Sequence, residues 1–299
     1  MSEPVQRSVD AMAFDRINGG DLQPIIFIHG LWLLPSSWDP WIELFESKGY
    51  ACIAPSWPGD LPSVDEANAA LDRPSETLEE IVEVFVEIAG KLRRKPVLIG
   101  HSFGGLIAQL VADRGLAGAT VAIAPAAFRG VLPLPFSALR SAAPVLHNPA
   151  NRHHVVPLSL DQFQYAFGNA LDVDEARALY ERLAVPAPGG PLFEAAFANL
   201  NPWTDDKLDP ERSSRGPLLL LAGEQDHVVP KVVVDAEYAI QRRNPSSTEC
   251  RTVRGRGHSL VIDSGWRDVA EIVAEFITRS VAHAPVGVNG GPGAVSVDT

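Results

Sequence analysis

A single serine, Ser102, has a glycine two positions before it and another two positions after it, in the pattern Gly-x-Ser-x-Gly. The apolar run 96–100 before it predicts a buried strand, and the residues from Phe103 onward predict a helix. At a tight strand-to-helix turn a serine takes an unfavourable backbone conformation, so the positions two residues away must be small. Such a turn holds the hydroxyl clear of the sheet at the amino terminus of the helix. The pattern therefore favours a nucleophilic serine over a simple glycine-rich turn.

A nucleophilic serine needs a base that takes its proton and an acid that orients the base. In open parallel sheets such side chains gather at the carboxyl ends of the strands. Asp226 follows the apolar run 217–223, and His258 follows the last predicted strand. Glu224, two residues before Asp226, is an alternative acid if the strand is shorter. We therefore predict Ser102, Asp226 and His258 as the catalytic residues.

The other histidines near these positions have more ordinary interpretations. His101 adjoins the serine and is expected to pack beneath it, whereas His227 adjoins the acid and would point away from it on an extended segment. Three further histidines lie in a stretch where packed or solvated positions are expected: His147, His153 and His154.

The negative oxygen that forms when a serine attacks a carbonyl group is stabilised by backbone N–H donors. The first predicted donor is the N–H of Phe103, at the start of the helix. The second is expected from the loop after the apolar run 24–30, where Gly30 allows a close backbone approach. Leu31 is the preferred donor in that loop and Trp32 the alternative. A plain glycine turn that ends the strand also fits this element taken alone.

Strand and helix patterns alternate along most of the chain. Apolar strand runs occur at residues 24–30, 51–55, 96–100, 120–125, 217–223 and 249–253. Helical spacing of apolar residues occurs at residues 38–45, 78–92, 103–114, 230–243 and 266–279. Such alternation predicts right-handed crossovers and a parallel sheet with helices on both faces, which is the α/β class.

The alternation stops between residues 127 and 213, a stretch rich in proline and phenylalanine with no strand run. A linker would be polar and poor in aromatic residues, so we expect a mostly helical insertion with helical patterns at 160–171 and 174–185. The core is then predicted at residues 1–126 and 214–283. Residues 284–299 are rich in glycine and valine without periodicity, which predicts a disordered tail.

The composition excludes several classes of protein. A formal net charge of −12 over 299 residues argues against nucleic acid or an anionic membrane as the main partner. The two cysteines, Cys52 and Cys250, are too few for a disulfide framework and lack the spacing of a metal site. The first residues lack the apolar stretch of a signal peptide, and no window approaches the ~18 apolar residues of a membrane span. We therefore expect a cytoplasmic protein that does not enter a membrane.

Four motifs occur in order along the chain: FIHGLW, GHSFGG, AGEQDHVVP and GRGHSL. By these motifs the chain resembles the α/β-hydrolase superfamily, in its members with a helical cap, over about residues 24–277. The resemblance implies an eight-stranded, mostly parallel sheet and a helical cap at 127–213. It also implies a serine esterase-like mechanism without a metal or an organic cofactor. Haloalkane dehalogenases and epoxide hydrolases of this fold differ, because they have an aspartate where this chain has Ser102.

These residues predict hydrolysis of an ester, a thioester or a related acyl bond of a largely apolar small molecule, through an acyl-enzyme on Ser102. Acyl transfer to an alcohol or to peroxide with the same residues is the alternative reaction. A non-catalytic ligand receptor on the same fold is a third possibility, because a fold alone does not fix function. The pocket is expected to be apolar, and its candidate wall residues are Trp32, Phe136, Phe163, Tyr165, Phe167 and Trp203.

Overall fold

The computed structural model describes residues 11–199 and 208–281, and a six-stranded sheet lies at its centre. The strands of this sheet are β1 (Gln23–Ile28), β2 (Tyr50–Ile53), β3 (Val97–His101), β4 (Ala119–Ile123), β7 (Leu218–Gly223) and β8 (Thr248–Val253). Their order across the sheet is β2-β1-β3-β4-β7-β8, and every neighbouring pair is parallel. The predicted α/β class and the mostly parallel sheet are thereby confirmed.

The number of strands differs from the expectation of eight, which was wrong for the described part of the chain. The segment before β1 forms helix α1 (Ala11–Gly19), whose Phe14 and Ile17 lie three residues apart and pack against the core. Two further strands, β5 (Val155–Val156) and β6 (Ala187–Pro188), do not join the sheet and form a separate antiparallel pair.

The inner strands are buried on both faces, which explains why they are continuous apolar runs. Every residue of β3, β4 and β7 is buried. A parallel sheet is covered by helices on its two faces, so an alternation of apolar and polar residues is not needed. The edge strand β8 differs, because all of its residues are only partly buried.

Helices flank the sheet on the part of the chain that forms the predicted core. They are α2 (Asp39–Ser47), α4 (Leu78–Lys91), α5 (Phe103–Asp113), α10 (Lys231–Gln241) and α11 (Trp266–Val281). The short helix α3 (Val64–Ala69) instead packs through Ala67 against Leu34 and Val185. Helix α5 packs on β3 and β4, with α4 beside it, and nearly all of its residues are buried. The amino terminus of α5 is thus fixed at the carboxyl end of β3. Within residues 11–199 and 208–281, no helix combines the length and the apolar character needed to cross a bilayer.

The chain between β4 and β7 is called the insertion below. Its described residues form four α-helices and the short β5–β6 pair. The helices are α6 (Phe136–Leu146), α7 (Leu160–Ala166), α8 (Val173–Leu183) and α9 (Gly190–Phe197). The expectation that this stretch holds no strand was wrong, because Val155 pairs with Pro188 and Val156 with Ala187. A strand of two residues is too short to produce a period-two pattern in the sequence. Helix α7 ends before the predicted residue 171, shortly ahead of Gly168.

Candidate active site

Ser102 lies in the turn between β3 and α5 with a strained backbone. Its φ of 55° and ψ of −122° place it in a region that residues with a side chain rarely adopt. The turn is held by four backbone hydrogen bonds. Ser102 N–H donates to Ile123 O (2.9 Å), and the N–H groups of Gly105, Leu106 and Ala126 donate to Ser102 O (2.9, 3.2 and 3.0 Å). Ser102 is 5% exposed and reaches an apolar cavity. The surrounding structure therefore maintains a costly backbone conformation at Ser102.

The flanking glycines are required by close backbone contacts. A Cβ on Gly100 would lie 1.9 Å from Gly104 O, and a Cβ on Gly104 would lie 2.1 Å from Ile28 O. Both distances are far below van der Waals contact, so no larger residue fits at either position. The spacing of the glycines in the motif follows from this packing of α5 against the ends of β1 and β3.

His258 and Asp226 are in direct contact. His258 Nδ1 lies 2.7 Å from Asp226 Oδ2, and both side chains are fully buried. The other carboxylate oxygen, Oδ1, accepts hydrogen bonds from the N–H groups of Val228 and Val229 at 2.8 Å each. Because a carboxylate only accepts, Nδ1 carries a proton, and in the neutral form of the ring Nε2 has a free lone pair. His258 Nε2 is buried and makes no hydrogen bond to any described residue, Ser102 included.

His101 connects the serine turn to His258. Its Nε2 lies 3.0 Å from the carbonyl oxygen of His258, and the two rings are 4.6 Å apart. Since a carbonyl only accepts, His101 Nε2 is the donor. Burial, and then the nearby His258, lower the pKa of His101 well below its ordinary value, so the ring is neutral near pH 7. The predicted packing role of His101 omitted this hydrogen bond.

The alternative residues lie elsewhere. Glu224 is exposed, and its Oε2 accepts a hydrogen bond from Gly255 N–H at 2.8 Å. His227 Nδ1 lies 3.0 Å from Tyr165 O, in the insertion. His147 is exposed and contacts the carbonyl of Ala143 on its own helix. The structure therefore brings Asp226, and not Glu224, to His258.

The loop after β1 lies directly against Ser102. A Cβ placed on Gly30 would be 2.8 Å from Ser102 Cβ, so only glycine permits this approach. The next residue, Leu31, is buried. On the other side, Phe103 is the first residue of α5, and the first N–H groups of a helix have no intrahelical acceptor. Both predicted oxyanion donors thus belong to backbone segments adjoining the serine.

Trp32 is anchored to the insertion at two points. Its indole Nε1–H donates to Val156 O (3.0 Å), and its carbonyl accepts from Val185 N–H (3.1 Å). Its φ of 64° lies in the left-handed region, which an L residue adopts at an energetic cost. Strand β5 and the residue two positions before β6 therefore fix the loop that approaches Ser102.

A second support of this loop was missed by the sequence analysis. His29 Nε2 lies 3.0 Å from Asp60 Oδ2, which also accepts from Trp57 N–H at 2.7 Å. The His29 ring stacks on the Trp57 ring with centroids 4.6 Å apart. Asp60 is separated from His29 by 31 residues, and its position in the segment PGD reads as an ordinary turn residue. No local pattern connects these residues.

A cavity of about 350 Å³ opens onto Ser102. Its wall is formed by the loops at the sheet edge and by helices of the insertion. The lining residues are Trp32, Ser102, Phe103, Ala126, Ala127, Leu134, Ala138, Leu139, Ser141, Ala142, Leu146, Leu192, Ala195, Ala196, Phe197, Val228, Val229 and Val233. Trp32 is thus the one predicted wall residue that the described structure brings to this cavity.

The other predicted wall residues have different surroundings. Phe136 is 78% exposed, whereas Phe163 and Phe167 are fully buried and stack on each other with ring centroids 4.8 Å apart. Tyr165 lies beneath the guanidinium of Arg140, which is 3.9 Å from its ring centroid. Phe167 also packs edge-on against the His258 ring, with the two ring centroids 5.0 Å apart. Trp203 lies outside the described residues.

No metal site is formed by the side chains of residues 11–199 and 208–281, in which no three His, Cys, Asp or Glu residues are grouped as ligands.

Burial raises the pKa of the two thiols, to about 12 for Cys52 and about 11 for Cys250. Both cysteines are therefore protonated and unreactive near neutral pH.

The sequence of the chain matches one family. The profile of the alpha/beta hydrolase family matches residues 25–272, which is most of the chain. A search of curated proteins gives no match to this sequence.

Solved structures with a similar fold include three hydrolases. A monoacylglycerol lipase from Paleococcus ferrophilus is 20% identical, with a TM-score of 0.59 over 87% of this chain and 95% of that chain. A pyrethroid hydrolase from Sphingobium faniae JZ-2 is 18% identical, with a TM-score of 0.59 over 86% of this chain and 98% of that chain. A methylesterase from Arabidopsis is 14% identical, with a TM-score of 0.61 over 86% of this chain and 100% of that chain. The order of the strands and the strained serine turn agree with the profile match. The chain therefore belongs to the alpha/beta hydrolase family.

Proposed function

We propose that the protein is a serine hydrolase that cleaves an ester or a related acyl bond of a largely apolar small molecule, through an acyl-enzyme on Ser102. One observation carries the proposal. His258 is buried and oriented by Asp226, and its Nε2 has no hydrogen-bond partner among the described residues. The His258 ring contacts the ring of His101, which directly precedes the strained, cavity-facing Ser102. An acyl-transfer site needs a base held in this tautomer beside its nucleophile.

In the first half of the proposed reaction, Ser102 Oγ forms a bond to the substrate carbonyl carbon while its proton passes to His258 Nε2. The bond from that carbon to the alkoxy oxygen then breaks, and His258 gives the proton to the leaving alcohol. The Asp226 carboxylate, 2.7 Å from Nδ1, stabilises the imidazolium that exists between these two transfers. The acyl group remains on Ser102 as an ester.

In the second half, water attacks the acyl carbon and gives a proton to His258. The bond from that carbon to Ser102 Oγ breaks, Oγ takes the proton back, and the carboxylic acid leaves. In both halves the negative carbonyl oxygen would be held by the N–H groups of Phe103 and Leu31. Gly30 supports this assignment, because it brings the loop that carries Leu31 against Ser102.

The hydrogen bond between His258 Nε2 and Ser102 Oγ is absent in this structure. Catalytic hydrogen bonds are often long without substrate and tighten in the complex, so its absence agrees with the proposed roles.

The proposal is tested by the hydrolysis of a p-nitrophenyl ester series, from acetate to decanoate. We expect turnover by the wild type and a loss of about 10⁴-fold or more in S102A. Ser36, which is exposed on the turn before α2, gives the matched control S36A, with turnover equal to the wild type. Ester synthesis in excess alcohol measures acyl transfer by the same acyl-enzyme. Turnover in S102A equal to that in the wild type contradicts the proposal.

A further inference from the structure

The cavity above Ser102 lies between two helices of the insertion, and alanines form part of the wall that each helix contributes. Helix α6 contributes Ala138 and Ala142, which are four residues apart and therefore lie one above the other on the same side of the helix. Helix α9 contributes Ala195 and Ala196 to the cavity lining, and the two helices are in contact. Alanines on both sides keep open a space that larger side chains would fill.

The lining of this cavity holds no charged side chain among the described residues. Its only side-chain hydroxyls belong to Ser102 and Ser141, and Ser141 Oγ already donates to His227 O at 3.3 Å. A charged or strongly polar substrate group would lose its hydration here without gaining a partner. A hydrocarbon chain makes no hydrogen bonds to water that it would lose here, and its affinity rises with each methylene that is buried.

The position of the cavity relative to Ser102 and His258 indicates which part of an ester enters it. Ser102 and Phe103 line the cavity, but His258 does not. The leaving alcohol must approach His258 Nε2 to receive its proton, whereas the acyl group stays attached to Ser102. A chain that extends from Ser102 into the cavity is therefore the acyl chain.

The mouth of the cavity is apolar as well. Leu134 and Phe197 line the cavity and are more than half exposed, at 66% and 52%. An acyl chain can thus lie along Ala138 and Ala142 and reach solvent at these two residues. From Ala138 to Ala142 the helix rises by about 6 Å, the length of a few methylene groups.

The geometry points to an acyl slot, formed by Ala138 and Ala142 of α6 and by Ala195 and Ala196 of α9, that selects uncharged hydrocarbon acyl chains. This inference rests on the proposed function and adds the substrate class and the residues that set it. Within the slot, each further methylene of the acyl chain raises kcat/KM by about fourfold until the chain extends beyond the apolar wall.

The test compares the same substitution at two neighbouring positions of α6. In A142F the new ring enters the slot, whereas in A143F it lies on the exposed side of the helix. We expect A142F to lose at least tenfold more kcat/KM on the chain length that the wild type prefers than it loses on p-nitrophenyl acetate. A143F should keep the chain-length profile of the wild type.

A second variant gives an independent result if A142F fails to fold. A196F narrows the slot from the facing helix at an exposed position, and it should also shift the preference toward shorter chains. Identical chain-length profiles in A142F, A196F and the wild type overturn the inference alone, provided that S102A abolishes turnover. Absence of Ser102-dependent turnover on every ester overturns the proposed function and the inference with it. A shift seen only with acetates of alcohols of increasing length assigns the slot to the alcohol and overturns the acyl assignment.

Discussion

His258 Nδ1 lies 2.7 Å from Asp226 Oδ2, and neither side chain is accessible to solvent. The two residues are 32 positions apart and follow different strands, β8 and β7, which are neighbours in the sheet. The second carboxylate oxygen is held by the N–H groups of Val228 and Val229, so the carboxylate cannot rotate away. The contact fixes both the tautomer and the direction of the imidazole ring.

We expect Asp226→Asn to lower kcat by about 10⁴-fold. The amide oxygen can still accept from Val228 and Val229, but the amide NH₂ donates to His258 Nδ1 and forces the proton onto Nε2. His258 then cannot accept the proton of Ser102. The matched control is Glu224→Gln, an exposed position where the amide oxygen can still accept from Gly255 N–H. A fall in kcat of less than tenfold in D226N would show that Asp226 does not orient the base.

His101 is expected to act as a positioning residue through its hydrogen bond to the His258 carbonyl. Replacement by leucine removes the donor and should lower kcat by about 5- to 10-fold, the effect of one buried hydrogen bond, while KM changes little. Glutamine carries an N–H at a similar distance along the side chain, so H101Q should recover most of this loss. Equal kcat values in H101L and H101Q, measured on the same ester, would assign His101 to packing alone.

Gly30→Ala tests the approach of the loop after β1 to Ser102. The added Cβ would lie 2.8 Å from Ser102 Cβ and 3.0 Å from His101 O, so the loop must move away from the serine. Displacing one oxyanion donor should lower kcat by about 10²- to 10³-fold. Gly90→Ala on α4 is the matched control, since nothing lies within 4 Å of its added Cβ. G90A should keep full activity, and a G30A enzyme as active as G90A would exclude this loop from catalysis.

Glu237 gives the molecule a pH-dependent stability that is independent of the active site. Burial raises the pKa of this carboxyl well above its ordinary value, and only one of its oxygens is hydrogen-bonded among the described residues, to Gln109. A raised pKa in the folded state means that folding favours the protonated form. The stabilising contribution of Glu237 is complete below its ordinary pKa of 4.5 and is lost as the pH rises from there to the pKa of the folded state.

We therefore expect Glu237→Gln to unfold at a higher temperature than the wild type at pH 8, with a difference that shrinks toward zero near pH 4.5. The amide cannot ionise, and its oxygen can still accept from Gln109. The exposed Glu181, on α8, provides the control E181Q, whose Tm should follow the wild type at every pH. A Tm difference between E237Q and the wild type that does not vary with pH would contradict this account.

The parts of the fold that were predictable are those with a local signal. The turn at Ser102 requires small residues at fixed positions, since a Cβ on Gly100 would meet Gly104 O at 1.9 Å, and this requirement is visible in five residues. The buried strands β3, β4 and β7 are continuous apolar runs because both faces of the sheet are covered. Burial on both sides and steric exclusion each leave a pattern within a short stretch of sequence.

The parts that were missed depend on contacts between distant residues. The hydrogen-bonded side chains of His29 and Asp60 are 31 positions apart in the sequence. Trp32 and Val156, which also share a hydrogen bond, are 124 positions apart. Aromatic residues of the insertion were expected in the pocket wall, but Phe163 and Phe167 are fully buried away from the cavity. An aromatic side chain is equally suited to a protein core and to a ligand pocket, so its type does not distinguish the two. The described residues of the insertion that line the cavity are mostly alanine and leucine, which carry no special signal, and Phe197 is the one aromatic residue among them.

The most direct test of the central claim is covalent labelling of Ser102 by a fluorophosphonate, measured by mass spectrometry of the intact protein and of the peptide that contains Ser102. The account predicts one adduct per chain, on Ser102, in the wild type and in S36A, and none in S102A. Equal labelling of S102A and the wild type, or no labelling of the folded wild type, would contradict the claim that Ser102 is an activated nucleophile.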